Sequence, residues 1–337
     1  MTGRGCCIWI GICFAGLAAA CSDTLGIEDP SGRLNDASTT DSFGKSGEAD
    51  AMADVDSHSA DTGADALDGE VDSAVDAGLD GPSEAPGNDG GCPSSAASLS
   101  PASVPGLVLW LDAAKGLAAA GQPVPLWSDQ SPAHNDASQP NSGLQPVVEG
   151  SAIGGLPAIQ FNGSTTFLSI ADSASLQWGT ADYTLLAVAR FSIDLGTTSQ
   201  ELFQKTALDA PYPGPELMVN SAVPSQDTKV SSVLSSDVYA TSAHDGLNDV
   251  PHVFTGRRVG STVEVRIDGL IEGQAAGALI DISAPGQPAI IGQNGYRSIP
   301  GLEAVEGVIA EIVAVKGTIS ASDLRSLECH MIVKYGL

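Results

Sequence analysis

Few side chains in this sequence are grouped tightly enough to do chemistry together. Two sets of carboxylates stand close in the chain: Glu264, Asp268 and Glu272, and Glu303, Glu306 and Glu311. Cleaving a glycosidic bond takes two carboxyl groups about 5–10 Å apart, one to protonate the leaving oxygen and one to act as nucleophile or base. The first set would share one strand face, but Asp268-Gly269 reads as a tight turn that interrupts the strand. The second has no regular spacing. Both read as solvated sheet faces and loop charges, so no catalytic residue is assigned. A third grouping is "SDQSPAHND", Ser128 to Asp136, which gathers Asp129, Ser131, Asn135 and Asp136 in one polar loop. Hard oxygen ligands of this kind suit Ca2+, and Asp129, Asn135 and Asp136 are the candidate metal ligands. The same residues also suit an Asx-rich turn whose side chains cap its own backbone.

Other chemistries find no support. There is no G-x-S-x-G nucleophile elbow. His58, His134, His244, His252 and His330 are scattered without metal-ligand spacing. No Gly-rich phosphate loop follows a strand, which leaves Ca2+ as the one cofactor in view. Sugar rings stack on exposed aromatic faces. The aromatic residues in polar surroundings are Trp127, Trp178, Tyr212, Tyr239 and Tyr296. Tyr212, in the Pro-rich "LDAPYPGPE", is the first candidate, with Trp178 and Tyr296 beside it. Trp110 lies in the apolar run "VPGLVLWLDAAKGL" and reads as core, and Asp112 as the residue that ends that strand.

These residues sit in a strongly acidic chain of 337 residues with a formal net charge of −27. Phosphate contacts need a basic surface, so nucleic acid is excluded as a partner. The charge is uneven: Ser22 to Gly91 holds 14 Asp and 4 Glu against Arg33 and Lys45 alone. That stretch has one aromatic, Phe43, and too little apolar surface to offset the entropy of ordering, so it is expected to be a disordered tether extended by its own charge. Within it, Asp61, Asp65, Asp68, Asp72, Asp76 and Asp80 recur at helical spacing, but Asp and Gly disfavour the helix and the stretch reads as a solvated spacer.

Ahead of the acidic stretch, Arg4 precedes an uncharged apolar segment, Gly5 to Ala20, shorter than the ~20 residues a spanning helix needs. It ends in Leu17-Ala18-Ala19-Ala20-Cys21. Small residues directly before a Cys resemble the lipobox of bacterial lipoprotein signal peptides, although Ala18 stands where that family prefers Leu. The resemblance implies cleavage before Cys21, a lipid on Cys21 and membrane attachment through it. Ser22, in place of Asp, points by the same resemblance to the outer membrane of the cell envelope. The expected organisation is a signal peptide over 1–20, an acidic linker over 21–100 and one folded domain over 101–337.

After Pro101 short apolar or alternating runs appear between Gly, Pro, Asn and Asp, the pattern of an all-β sandwich. "HVFTGRRVGSTVEVRIDGLIEG" is the clearest unit: two runs meet at Gly260-Ser261, and Val263, Val265 and Ile267 alternate with Glu264, Arg266 and Asp268. "SASDLRSLECHMIVKYGL" reads as one helix, about Ala321 to Lys334, capped by Ser320 and stopped at Gly336. Cys92 and Cys329 bracket the domain, and in an oxidising compartment they form a plausible staple.

The blocks "GLVLWLDA", "PLWSDQSPAHNDASQ", "GLPAIQFNGSTTFLSI", "YTLLAVARFS", "VRIDGLIEG", "GVIAEIVAV" and the final "KYGL" occur in the order seen in concanavalin A-like lectin/glucanase domains of the laminin-G-like type. The resemblance covers about Leu107 to Leu337, except Thr206 to Val250. It implies a two-sheet antiparallel jelly roll, a Ca2+ near its rim, and a module that binds a glycan or a cell-surface protein without catalysis. The alternatives are a glycan-cleaving enzyme on the same fold or an envelope structural protein with no discrete ligand. The glucanase branch carries E-x-D-x-x-E on one strand, which neither carboxylate set matches.

Overall fold

The computed structural model describes residues 91–92, 100–192, 199–220, 228–246, 248–277, 279–295 and 303–337. The signal-like segment, Cys21, nearly all of the acidic linker and Tyr296 lie outside the described residues. In chain order the strands are β1 (Leu107–Asp112), β2 (Leu126–Trp127), β3 (Ala137–Ser138), β4 (Val147–Ile153), β5 (Leu156–Asn162), β6 (Leu168–Ile170), β7 (Tyr183–Phe191), β8 (Gln200–Gln204), β9 (Glu216–Asn220), β10 (Lys229–Ser235), β11 (Val238–Asp245), β12 (His252–Val259), β13 (Thr262–Ile267), β14 (Leu270–Ala276), β15 (Ala289–Ile291) and β16 (Glu306–Lys316). One helix, α1 (Ala321–Tyr335), follows.

The strands form two antiparallel sheets, the expected all-β sandwich with a C-terminal helix. Sheet 1 runs β14-β13-β12-β7-β16-β5-β4, and sheet 2 runs β11-β10-β9-β8-β15-β6-β3-β2. The long strand β16 organises sheet 1. One of its edges pairs with β7, while the other is divided between β5 over Glu306–Ile309 and β1 over Glu311–Val315. The register shifts at Ala310, between these two halves. Thr206 to Val250, where no resemblance was found, supplies β9, β10 and β11 at one end of sheet 2.

Both faces of sheet 1 are covered, which is why its central strands are almost continuously apolar. Leu109 and Leu111 of β1, Leu185 and Ala187 of β7, and Ile312 and Ala314 of β16 face sheet 2. Trp110, Leu186, Val188, Val313 and Val315 face the other way, onto Leu324, Leu327, Met331 and Tyr335 of α1. Those helix residues recur at intervals of three and four, one stripe of the helix. Ser320 caps α1 by accepting from the Asp323 amide at 3.0 Å, and Gly336 closes it in the left-handed region at φ 68°. The end of α1 approaches the β4–β5 turn so closely that a Cβ at Gly154 would lie 2.2 Å from the Tyr335 carbonyl oxygen. Cys92 and Cys329 are joined by a disulfide, with Cα atoms 5.2 Å apart, so the entry of the domain is tied to α1.

The two hairpins read from the sequence have the expected register: Val259 pairs with Thr262, and Ile267 with Leu270. Asp268 and Gly269 take positive φ values, 51° and 80°, as a tight turn between β13 and β14 requires.

Candidate functional site

Asp112, Glu311 and Lys334 form one buried group behind α1. Register places Asp112 beside Glu311 on neighbouring strands. The Lys334 ammonium lies 2.8 Å from Asp112 Oδ2 and 2.7 Å from Glu311 Oε2, and the Trp110 indole donates to Glu311 Oε1 at 2.7 Å. A second group ties the same helix to β12 and β13. Glu328 accepts from Arg266 at 2.8 Å and from Thr255 at 3.1 Å, and Arg266 also meets Glu264 at 3.2 Å. These ions lie under the helix, and their partners are one another, so their work is to fix how α1 sits on sheet 1. Asp112 also accepts from the Ala114 amide at 2.9 Å, which turns the chain at the strand's end.

The polar loop after β2 is brought together as its spacing implied. Asp129 Oδ1 accepts from the amides of Trp110 and Ser131 at 2.7 and 2.8 Å, and Oδ2 from the Ser131 hydroxyl and the Asn135 amide, both at 2.6 Å. Asp136 accepts from the Asp129 amide at 2.8 Å, and the Asn135 amide group donates to Val108 O and to Ser175. Each Asp129 oxygen thus carries two protein donors, and the carboxylate organises the loop against β1. A Ca2+ at Asp129 would have to displace those donors.

The aromatic candidates need one correction. Trp178 is 2 % exposed and packs edge-on against Tyr183 and Phe203, so it belongs to the core and offers no face to a ligand. Trp127 is likewise buried. Packing decided this, because a large apolar ring between two sheets gains more from burial than from exposure. Tyr212 is half-buried at φ 55° on the loop between β8 and β9, where its amide donates to Asp209 O.

The face of sheet 2 turned away from sheet 1 is the candidate site. Leu217 and Val219 point into the core, so Glu216 and Met218 point outward. Register then carries one outward row across the strands: Ser138, Ser169, Ile290, Gln204, Glu216, Val233 and Tyr239. A parallel row holds Glu201, Met218, Ser231 and Thr241. At the β3–β6 end, Ser138, Ser169, Ile290, Phe167, Gln139 and Gln293 line a cavity of about 370 Å3, inside the ~300–1,000 Å3 range of small-ligand sites. Among the described residues the hydroxyls of Ser138 and Ser169 have no hydrogen-bond partner. A narrower hollow, lined by Gln204, Thr206, Leu208 and Gln287, shares Gly295 with that cavity.

Beyond Gln204 lie three carboxyl groups. Gln204 donates to Glu216 Oε1 at 3.2 Å and accepts from the Gly295 amide, and Asn294 donates to Glu303. The Glu201 amide donates to the Glu303 carbonyl at 2.9 Å, which holds the two residues together. Burial pushes all three carboxyls upward, Glu216 to about 8 and Glu201 well above the ordinary range, and neighbouring carboxylate charge adds to the shifts of Glu201 and Glu216. Sequence reading passed over Glu201 and Glu216. Their one signal was an acid at the head of each of two apolar runs, "ELFQ" and "ELMV". Of the carboxylates that the sequence suggests are solvated, Glu303 belongs to this buried group, and Glu264 and Glu311 are buried under α1, where Arg266 and Lys334 pair with them; Asp268 lies in its turn beside His252 at 2.7 Å, and Glu272 beside His244 at 2.8 Å.

Comparison with known proteins adds little beyond the fold. No protein-family model matches the chain, and no curated protein matches it. Among solved structures it is similar to Trypanosoma rangeli sialidase in complex with sialic acid, at 16 % identity and a TM-score of 0.46, covering 67 % of this chain and 33 % of that one. It is similar to the binding domain of Paraclostridial Mosquitocidal Protein 1, at 12 % identity and a TM-score of 0.46, covering 68 % and 52 %. It is also similar to the receptor binding domain of botulinum neurotoxin D, at 10 % identity and a TM-score of 0.47, covering 67 % and 53 %. The chain spans about a third to a half of these proteins.

Proposed function

We propose that the sandwich is a non-catalytic binding module that takes a carbohydrate on the outer face of sheet 2, and that a lipid-anchored tether presents it at the cell envelope. The observation that carries the reading is the cavity of about 370 Å3 with Ser138 and Ser169 side by side, their hydroxyls unengaged among the described residues, beside the Phe167 ring and Ile290. A sugar offers hydroxyls at its edge and C–H groups on its face, and this mixture of polar and apolar groups suits both. A glycan-cleaving reading would need one ionised and one protonated carboxyl at the reacting bond. Among the described residues no carboxyl group lines the cavity, which favours binding.

Glycan-array screening of the full-length protein tests the binding reading, and a silent array would remove it. For the glycan so identified, Ser138→Ala with Ser169→Ala should weaken binding about tenfold with the fold intact, as expected for two lost hydrogen bonds. Unchanged affinity would move the site elsewhere. Anchoring rests on the lipobox-like residues before Cys21. Labelled fatty acid fed to cells should enter the native protein and be absent from Cys21→Ser; label kept by the variant would refute the anchor.

A further inference from the structure

Glu201 is fully buried, and among the described residues neither of its carboxylate oxygens meets a donor. Glu216 is 3 % exposed and its Oε2 is equally unmatched. Among the described residues no Lys, Arg or His lies within ion-pair distance of Glu201, Glu216 or Glu303. The neighbouring cations are committed: Lys205 to Asp172 at 2.8 Å, Lys229 to Asp245 at 2.9 Å, and Arg258 to backbone carbonyls. Buried polar atoms in native proteins nearly always find a partner, and one that does not calls for an explanation. Here the unmatched atoms are all acceptors on acids, register places both residues on the side of sheet 2 turned away from sheet 1, and Gln204 links Glu216 to Gly295 on the cavity wall.

We infer that the ligand of this face carries a primary amine, whose ammonium seats against Glu216 and Glu201 beyond Gln204 while its sugar ring occupies the cavity at Ser138 and Ser169. This rests on the carbohydrate reading above and names the class of sugar. An ammonium brings three donors and a positive charge, which is what these oxygens lack. Among the described residues no three acidic or histidine side chains converge on one point as a metal ion requires, so the arrangement favours an ammonium over a divalent cation. The long Gln204–Glu216 contact at 3.2 Å is the one to be displaced. Because ammonium binding favours the ionised carboxylate, binding expels a proton from the pair to solvent.

Calorimetry on the full-length protein with a β-1,4-linked glucosamine tetrasaccharide and its fully N-acetylated counterpart tests this. The amine form should bind at least about tenfold tighter, since hydrogen bonds to charged groups contribute about 1.5–3 kcal/mol. Its apparent enthalpy should vary with the ionisation enthalpy of the buffer, which reports the released proton. Glu201→Gln with Glu216→Gln, neutral and isosteric, should bring the two sugars to equal affinity. Equal binding of both sugars by the native protein overturns the amine while leaving the carbohydrate reading in place. Binding of neither overturns both. Two other results also overturn it: a preference that survives in the double variant, or millimolar Ca2+ or a lysine peptide occupying the carboxyls in place of the sugar.

Discussion

Lys334→Met should destabilise the domain by about 3–5 kcal/mol, the cost of removing one partner from a buried ion cluster. The substitution keeps the apolar stem and deletes the charge that lies 2.8 Å from Asp112 and 2.7 Å from Glu311. Two carboxylates, both almost fully buried, are then left facing each other across β1 and β16. Lys115 stands 3.8 Å from Asp112 but is half-exposed, and a screened ion at that distance offsets little. The Trp110–Glu311 hydrogen bond survives the change and cannot neutralise the pair. For a domain of this size the loss corresponds to a fall in Tm of about 8–15 °C. Adding Asp112→Asn and Glu311→Gln removes the stranded charges and should recover most of it, because a neutral polar cluster carries no uncompensated charge. If thermal denaturation shows Lys334→Met within about 1 kcal/mol of the native protein, the ion cluster does not fix α1.

The second large effect is on the pH dependence of stability. An ordinary Glu carboxyl ionises near 4.5, whereas burial in the fold pushes Glu216 up to about 8. Burial is the largest cause, the Glu303 charge adds to it, and the hydrogen bond from Gln204 works against it. Below pH 4.5 folded and unfolded chains both hold this proton, and it has no effect on stability. As pH rises from 4.5 towards 8 the unfolded chain releases the proton while the folded one keeps it, so stability falls across that window and levels off above it. Glu201 and Glu303 shift in the same direction and deepen the loss. The total for Glu216 is on the order of 3–5 kcal/mol. Glu216→Gln removes the titration. The variant should be near native stability or about 1 kcal/mol below it at pH 5, where its amide leaves a donor unmatched, and more stable than native by several kcal/mol at pH 8.5. Urea unfolding at the two pH values reads this crossing, and parallel curves for the two proteins would refute it. The acid limb has the opposite sign. Hydrogen bonds hold Asp172, Asp245 and Asp281 below the ordinary range, so their contribution is present above pH 4 and lost as they protonate.

Local rules were enough for the elements. The alternation in Val263, Val265 and Ile267 specified a strand with one dry face, Asp268-Gly269 its turn, and Ser320 with Gly336 the limits of the helix, because each depends on residues within one or two turns of chain. The same holds for the Asp129 loop, whose partners at Ser131, Asn135 and Asp136 are close in sequence. Strands β2, β3, β4 and β11 are not legible as strand runs in the sequence; two-residue strands such as Ala137-Ser138 are too short to carry a periodic signal. The candidate site depended wholly on packing. Ser138 and Ser169 become neighbours only when β3 pairs with β6, and Glu201 meets Glu303 only when the chain returns from β15 to β16. Trp178 and Trp127 look alike in sequence to any surface aromatic, and only the closing of the two sheets buries them. Hydrophobic period and turn chemistry are local and survive in one dimension. The pairing of charges, the cavity beside two serines and, among the described residues, the lack of a partner for the Glu201 carboxyl are properties of distant residues brought together, and no spacing along the chain records them.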